Sequence, residues 1–106
     1  MDQMTPAVDI EGMRAAAGAA TALLRVLANE DRLLLLCQMT AGEKSVGELE
    51  ALLDIRQPTL SQQLGVLRNE GLATTRREGK RIYYAIADPR VRAVLEVLYG
   101  LYCAKA

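Results

Sequence analysis

The stretch SVGELEALLDIRQPTLSQQLGVLRNEGLATTRREGKR, residues 45–81, decides how this chain folds. Ser45-Val46-Gly47-Glu48 is a capping box: a hydroxyl to take the free N–H groups of a first helical turn and a glutamate three residues on to answer it. It opens a short helix through Leu53. Asp54-Ile55-Arg56 is a connection of turn length, and Pro58, at or near a first helical position, opens a second helix over 57–70 that Gly71 stops. Leu49, Leu52 and Leu53 on the first helix face Leu60, Leu64 and Leu67 on the second, enough for one small core. Leu72 to Arg77 and Lys80 to Ile86 are rich in Thr, Tyr and Ile with Glu78-Gly79 between them, the pattern of a β-hairpin. Two short helices followed at once by a basic hairpin make a winged helix-turn-helix, so the fold class expected is mainly α with a β-hairpin wing.

The flanks are helical. From Ile10 to Leu27 the chain is Ala-rich, with Met13, Ala16, Ala20, Leu23, Leu24 and Leu27 at helical spacing. Asn29 reads as an N-cap, with Glu30 and Asp31 where a helix's positive end favours them. The helix it opens, about 30–40, is apolar most of the way round (Leu33 to Leu36, Cys37, Met39) and is expected at the centre of the fold; Ala41-Gly42 ends it. Asp88-Pro89 starts a last helix carrying Val91, Val94, Leu95, Leu98, Leu101 and Tyr102 on one stripe. Residues 1–9 read as a flexible N-terminus and 10–106 as one domain, without repeats or linkers.

Composition narrows the function. Of 106 residues, 51% are hydrophobic and 25% charged, which suits a folded domain and excludes a wholly disordered one. Lys and Arg balance Asp and Glu overall, but residues 1–55 carry a net −5 and residues 56–106 a net +5. That split points the second half toward an anionic partner, nucleic acid first. No apolar run approaches the roughly 20 residues needed to span a bilayer, and the start lacks a cationic signal-peptide head, so a cytoplasmic location without membrane contact is expected. There is no histidine, which removes imidazole catalysis, Ser-His-Asp triads and most zinc sites, and no Gly-rich phosphate loop. Neither an enzyme, a cofactor nor a metal is expected.

The second helix of the motif has the chemistry of a DNA reader. A wheel centred on its leucines puts Pro58, Thr59, Gln62, Gly65 and Asn69 on the opposite side, with Gln57 and Ser61 near the N-terminal end and Gln63 on a flank. Amides and hydroxyls presented from N-terminal turns reach base edges in the major groove, and Gln suits the adenine edge. The hairpin tip adds Arg76, Arg77, Lys80 and Arg81, cations suited to a phosphate backbone. Taken alone, such a basic run reads as a solvated turn; directly after a helix-turn-helix, and on the positive side of the charge split, it reads as a DNA-binding wing.

Leu27-Ala28-Asn29, Arg32-Leu33, Gln57 to Leu64, Leu67 to Leu72 and Arg76 to Tyr84 together resemble the ArsR/SmtB family of bacterial repressors, over about residues 20–103. The resemblance implies a homodimer, operator contacts from Gln57, Thr59, Ser61, Gln62 and Gln63 and from the wing, and release of DNA on sensing an inducer. Gln63 stands where relatives commonly carry His. The last helix, with Val91, Val94, Leu95, Val97, Leu98, Leu101 and Tyr102, has more apolar surface than a one-sided contact needs, and the first offers an alanine face. The two are expected to form a two-fold interface, placing the recognition helices about one DNA turn (roughly 34 Å) apart on a near-palindromic double-stranded operator.

The resemblance also bears on the inducer, through the cysteines. Glu48-Leu49-Glu50-Ala51-Leu52 lacks the thiols of a metalloid site, and Asp88 and Glu96 alone are insufficient for a zinc site on the last helix. Spacing leaves two readings of Cys37 and Cys103: unrelated small hydrophobes, or thiols facing each other if their helices pack side by side. Leu36-Cys37-Gln38 with Leu98-Tyr99-Gly100-Leu101-Tyr102-Cys103 resembles the BigR and SqrR subgroup, which responds to persulfides. That resemblance implies that Cys37 and Cys103 are a sensing dithiol joined by a disulfide or polysulfide bridge, with reactive sulfur species as inducer. The alternatives are an anti-repressor of the same fold that competes with nucleoid proteins, a metalloid-responsive family member, a small thiol oxidoreductase, and a protein-interaction winged helix.

Overall fold

The helices begin where side chains can take their free N–H groups. Gly12 N–H donates to Asp9 Oδ1 (2.6 Å), Arg32 N–H to Asn29 Oδ1 (3.0 Å) and Arg90 N–H to Asp88 Oδ1 (2.9 Å). Ser45 and Glu48 close the reciprocal box, Glu48 N–H donating to Ser45 Oγ at 3.1 Å and Ser45 N–H to Glu48 Oε1 at 2.8 Å. The computed structural model describes residues 9–103. It runs α1 (Ile10–Leu27), α2 (Glu30–Gln38), a 3-10 turn (Met39–Ala41), β1 (Lys44–Ser45), α3 (Val46–Leu53), α4 (Thr59–Asn69), β2 (Ala73–Glu78), β3 (Arg81–Ile86) and α5 (Pro89–Tyr102). The expected flexible N-terminus lies outside the described residues except for Asp9, whose side chain caps α1; of the expected 10–106 domain, residues 104–106 also lie outside them.

The end of α4 is fixed by Gly71. At φ 79° it lets the chain reverse so that Leu72 N–H reaches Leu67 O (2.9 Å) and Gly71 N–H reaches Arg68 O (3.0 Å), the paired bonds of a Schellman motif. Leu67 and Leu72 are both buried beneath it. The chain then enters β2, which pairs antiparallel with β3 from Ala73↔Ile86 to Glu78↔Arg81. The turn is Gly79-Lys80, one residue later than expected: Gly79, at φ 63°, holds the first central position, where a two-residue hairpin of the primed type wants glycine. A third strand, β1, pairs with β3 through Lys44↔Tyr84 and Ser45↔Tyr83, giving the sheet order β1-β3-β2. Two residues carry too little pattern to be read as a strand beforehand.

The core is organised around α2, which lies against α1, α3 and α4. Leu35, Leu36, Met39, Leu49, Leu60, Leu64, Leu67 and Val91 are fully buried. Ile55 in the short α3–α4 connection is also buried and pins it. Leu52, expected in this core, is 56% exposed: Val46, Leu49 and Leu53 form the inner stripe of α3, and Leu52 lies to its side.

The two outer helices behave differently. Along α1 every residue from Ile10 to Ala22 is exposed, and only Leu27 is buried, so most of its alanine and leucine stripe has no packing partner among the described residues. On α5, Val91 and Leu95, expected at an interface between copies, are 0% and 4% exposed because they insert into the protomer's own core. Val94 and Leu98 are half-buried, and Val97, Leu101 and Tyr102 are exposed. Among the described residues no helix is long and apolar enough to cross a membrane.

Candidate nucleic-acid interface and thiol cavity

The polar side of α4 faces outward beside the wing. Gln57, Thr59, Ser61 and Gln62 are exposed, as expected, and Ser61 Oγ donates to Gln57 Oε1 across the first turn. Between α3, α4 and the hairpin lies an open groove of about 660 Å³, lined by Ser45, Gly47, Ser61, Lys80 and Arg81 among others. Its lining sets Lys80 and Arg81 of the hairpin beside the hydroxyls of Ser45 and Ser61, together with Glu48 and the apolar Val46, Leu64 and Ile82.

Two of the expected DNA contacts are otherwise engaged. Gln63 is half-buried, and its Oε1 accepts from Arg32 Nη1 at 2.8 Å, so the amide faces α2 instead of standing clear of α4. Arg76 forks onto Glu43, Nε to Oε1 at 3.1 Å and Nη2 to Oε2 at 2.5 Å, while Nη1 reaches Glu78 Oε1 at 2.9 Å. Its guanidinium also lies 4.6 Å from the Tyr83 ring centroid. These bonds hold the Glu43 carboxyl below the usual carboxylate range and raise Arg76 further. Arg77, Lys80 and Arg81 are exposed, and among the described residues none of the three is in a salt bridge. Arg32 and Glu43 are the residues that sequence reading missed here. Their partners lie 31 and 33 residues away, and no local pattern signals pairs so distant.

The second site lies on the other side of α2. Cys37, near its C-terminal end, and Cys103, just past α5, line one cavity of about 490 Å³ together with Leu34, Thr40, Arg92, Leu95, Glu96 and Tyr99. Both are free thiols, and both residues are exposed. Thr40 Oγ1 donates to Cys37 O (2.7 Å) and Arg92 Nη1 donates to Thr40 O (2.8 Å), so α5 is tied to the end of α2 beside the thiols. Partial burial, and secondarily the Cys103 sulfur, push the Cys37 thiol above its ordinary pKa. The lining sets the two thiols beside the apolar Leu34, Leu95 and Tyr99 and the charged Arg92 and Glu96. Among the described residues no cluster of three or more metal-binding side chains occurs.

Comparison with known proteins places this arrangement. Residues 29–75 match the family described as bacterial regulatory protein, arsR family. The biofilm growth-associated repressor of Agrobacterium fabrum is 57% identical over 82 residues, covering 77% of this chain and 70% of the relative. The solved structure of the transcriptional repressor BigR from Xylella fastidiosa superposes with a TM-score of 0.84 at 43% identity, over 92% of this chain and 99% of that one. The transcriptional activator HlyU of Vibrio cholerae is 40% identical over 96 residues; its reduced structure superposes with a TM-score of 0.85, over 90% of this chain and all of that one. With the helix-turn-helix, the wing and these likenesses together, the chain belongs to the arsR family of bacterial regulatory proteins and carries the family's winged-helix fold.

Proposed function

We propose that this chain is a homodimeric, DNA-binding transcriptional repressor that lets go of its operator when reactive sulfur joins Cys37 to Cys103. The observation that carries the reading is that these two thiols, from α2 and from the end of α5, share one cavity. The winged-helix unit and its two flanking helices act as one domain over 10–106. Gln57, Thr59, Ser61 and Gln62 read the major groove, and Arg77, Lys80 and Arg81 hold phosphates. The exposed apolar side chains of α1 and the last turns of α5 meet their counterparts in a second copy, which sets the two α4 helices on the half-sites of a near-palindrome.

The sulfur step balances as follows. One thiolate attacks the sulfane sulfur of an organic persulfide, RSSH, and becomes a cysteine persulfide while RSH leaves. The second thiolate attacks the inner sulfur of that persulfide, forming the Cys37–Cys103 disulfide and expelling hydrogen sulfide. The dithiol loses two electrons and the sulfane sulfur gains them. Each further RSSH that donates its sulfane sulfur before closure lengthens the bridge by one sulfur, a longer span than the roughly 7 Å of Cα separation that a plain disulfide tolerates. Burial lowers the thiolate fraction of Cys37, which slows its own attack on the reagent. A bridge fixes the end of α5 to α2, and because α5 also carries the dimer contact, the spacing of the two α4 helices changes. A few kcal/mol of differential affinity then suffices to empty the operator.

The test is a binding titration on the DNA upstream of the protein's own coding sequence, reduced against persulfide-treated, with intact-mass analysis of the same samples. Loss of binding in step with the appearance of a bridged mass is expected. Loss of DNA by Cys37→Ser on the same treatment would remove the dithiol from the account. The likeness to the activator HlyU favours one second reading, an anti-repressor that displaces a nucleoid protein through the same DNA contacts. Transcription from the target promoter with and without such a competitor separates the two.

A further inference from the structure

From α2, the Arg32 side chain hydrogen-bonds to both α1 and α4. It lies on the first turn of α2, where Nε donates to Val26 O at 2.6 Å and Nη1 donates to Gln63 Oε1 at 2.8 Å. Val26 is in the last turn of α1, where carbonyls have no N–H partner within the helix and where the helix dipole favours a cation. Gln63 is in the second turn of α4, flanked by Gln62, which faces outward, and by Leu64, which is buried in the core. A planar guanidinium holds its donors in a fixed fork, so accepting from it fixes both the rotation of α4 and its distance from the end of α1.

The opposite end of α2 borders the thiol cavity. Cys37 is the last residue but one of that helix, and Arg92 of α5 bonds the carbonyl of Thr40 in the turn that follows. With only nine residues, α2 is two and a half turns of helix whose central leucines are locked in the core. A displacement imposed at Cys37 therefore reaches Arg32 as a rigid movement, since a packed helix shifts as a unit instead of deforming.

We propose that Arg32 is a positioning residue for DNA recognition: through Gln63 it sets the pose of the recognition helix α4, and it transmits the state of the Cys37–Cys103 cavity to that helix. Its transmitting role rests on the thiol reading above; its hold on α4 does not. On this account Gln63 serves the interface without touching a base.

The experiment is a double-mutant cycle on operator affinity using the full chain, with Arg32→Met, Gln63→Leu and the double variant, each measured reduced and bridged. Gln63→Leu leaves the Arg32–Val26 bond in place, so it reports on the grip even where Arg32→Met melts at a lower temperature. Each single substitution is expected to weaken reduced-state binding about tenfold, the scale of a hydrogen bond to a charged group, and the double variant to be no weaker than either single one. Arg32→Lys, which keeps the charge but loses the fork, is expected to fall between wild type and Arg32→Met. The ratio of bridged to reduced dissociation constants, large in wild type, is expected to shrink in every variant that lacks the Arg32–Gln63 bond, the share carried by α5 through the dimer contact remaining. Additive losses would make Gln63 and Arg32 independent contacts and overturn the grip. An undiminished ratio in Gln63→Leu would overturn the transmission. A wild-type protein that binds DNA equally well when bridged would overturn the thiol reading on its own, leaving the cycle in the reduced state to judge the grip.

Discussion

Glu43 and Arg76 are joined by two hydrogen bonds between the loop before β1 and the wing, and this pair divides the wing's cations into two kinds. Arg76 is already neutralised by Glu43 and Glu78, while Arg77, Lys80 and Arg81 carry exposed charge. Each phosphate contact adds about one to the slope of log affinity against log salt. Each substitution enters both copies of the proposed dimer, so Arg77→Ala, Lys80→Ala or Arg81→Ala is expected to lower that slope by about two, whereas Arg76→Ala lowers it less. Fluorescence anisotropy across a salt series decides this; equal slope losses at Arg76 and Arg77 would return Arg76 to the phosphate contacts.

The thiols make a second expectation. Burial and the neighbouring Cys103 sulfur raise the Cys37 pKa, so at neutral pH the thiolate fraction of Cys37 is below that of an unperturbed thiol. Alkylation of Cys37 by iodoacetamide is expected to be slower than that of a reference peptide thiol at pH 7.5. It should keep rising with pH after the reference has levelled. Cys103→Ser removes the charge partner but not the burial, so it should recover only part of the difference. Mass-resolved labelling rates in Cys103→Ser and Cys37→Ser measure each thiol alone, and a Cys37 rate equal to the reference would contradict the assigned environment.

What was legible in the sequence follows the range of the physics involved. The caps at Asn29, Ser45 and Asp88, the glycine that ends α4 and the leucines at 60, 64 and 67 are local devices, each written within a few residues, and each is found in place. The hairpin was legible as well, its turn misplaced by one because Glu78 and Lys80 are equally polar and only the Gly79 backbone angle decides. The pairing of the two-residue β1, the Glu43–Arg76 fork and the Arg32–Gln63 bond join residues far apart in the chain, and each end looks like an ordinary surface charge or amide until the fold is built. The outer leucine of α3 failed for a further reason: a short amphipathic helix has more apolar residues than its narrow inner face accepts, and which one turns out depends on its neighbours.

Asp88 should make α5 sensitive to acid. The Arg90 side chain, then the Arg90 N–H, hold the Asp88 carboxyl below the ordinary carboxylate range. Ionisation there favours folding, so its contribution is complete above the ordinary carboxylate range and is lost as pH falls toward the depressed folded value. Asp88→Ala is expected to cost about 1 kcal/mol near neutral pH through loss of the cap. Asp88→Asn, which keeps a capping oxygen, should cost less at neutral pH yet flatten the decline in melting temperature between pH 5 and pH 3. A melting series over pH on the three proteins tests both the cap and its charge, and an unchanged acid slope in Asp88→Asn would place the sensitivity elsewhere.

Burial divides the last helix along its length, and the proposed dimer uses only its exposed part. Leu95, 4% exposed, fills the protomer's core, and Leu95→Ala is expected to destabilise it by about 2–5 kcal/mol whatever its oligomeric state. Leu101 and Tyr102, 71% and 81% exposed, contribute almost nothing to that core, so Leu101→Lys should change the protomer's own stability by less than about 0.5 kcal/mol. In the proposed dimer, a charge at that position would meet its symmetry mate across the two-fold contact, where both would have to lose water, and the dimer is expected to dissociate. Operator affinity then drops roughly hundredfold or more, because two half-sites no longer bind as one unit. Sedimentation velocity and a titration on full and half operators read the two effects separately. A Leu101→Lys protein that still sediments as a dimer would move the contact off the end of α5 and leave the exposed face of α1 to form it alone.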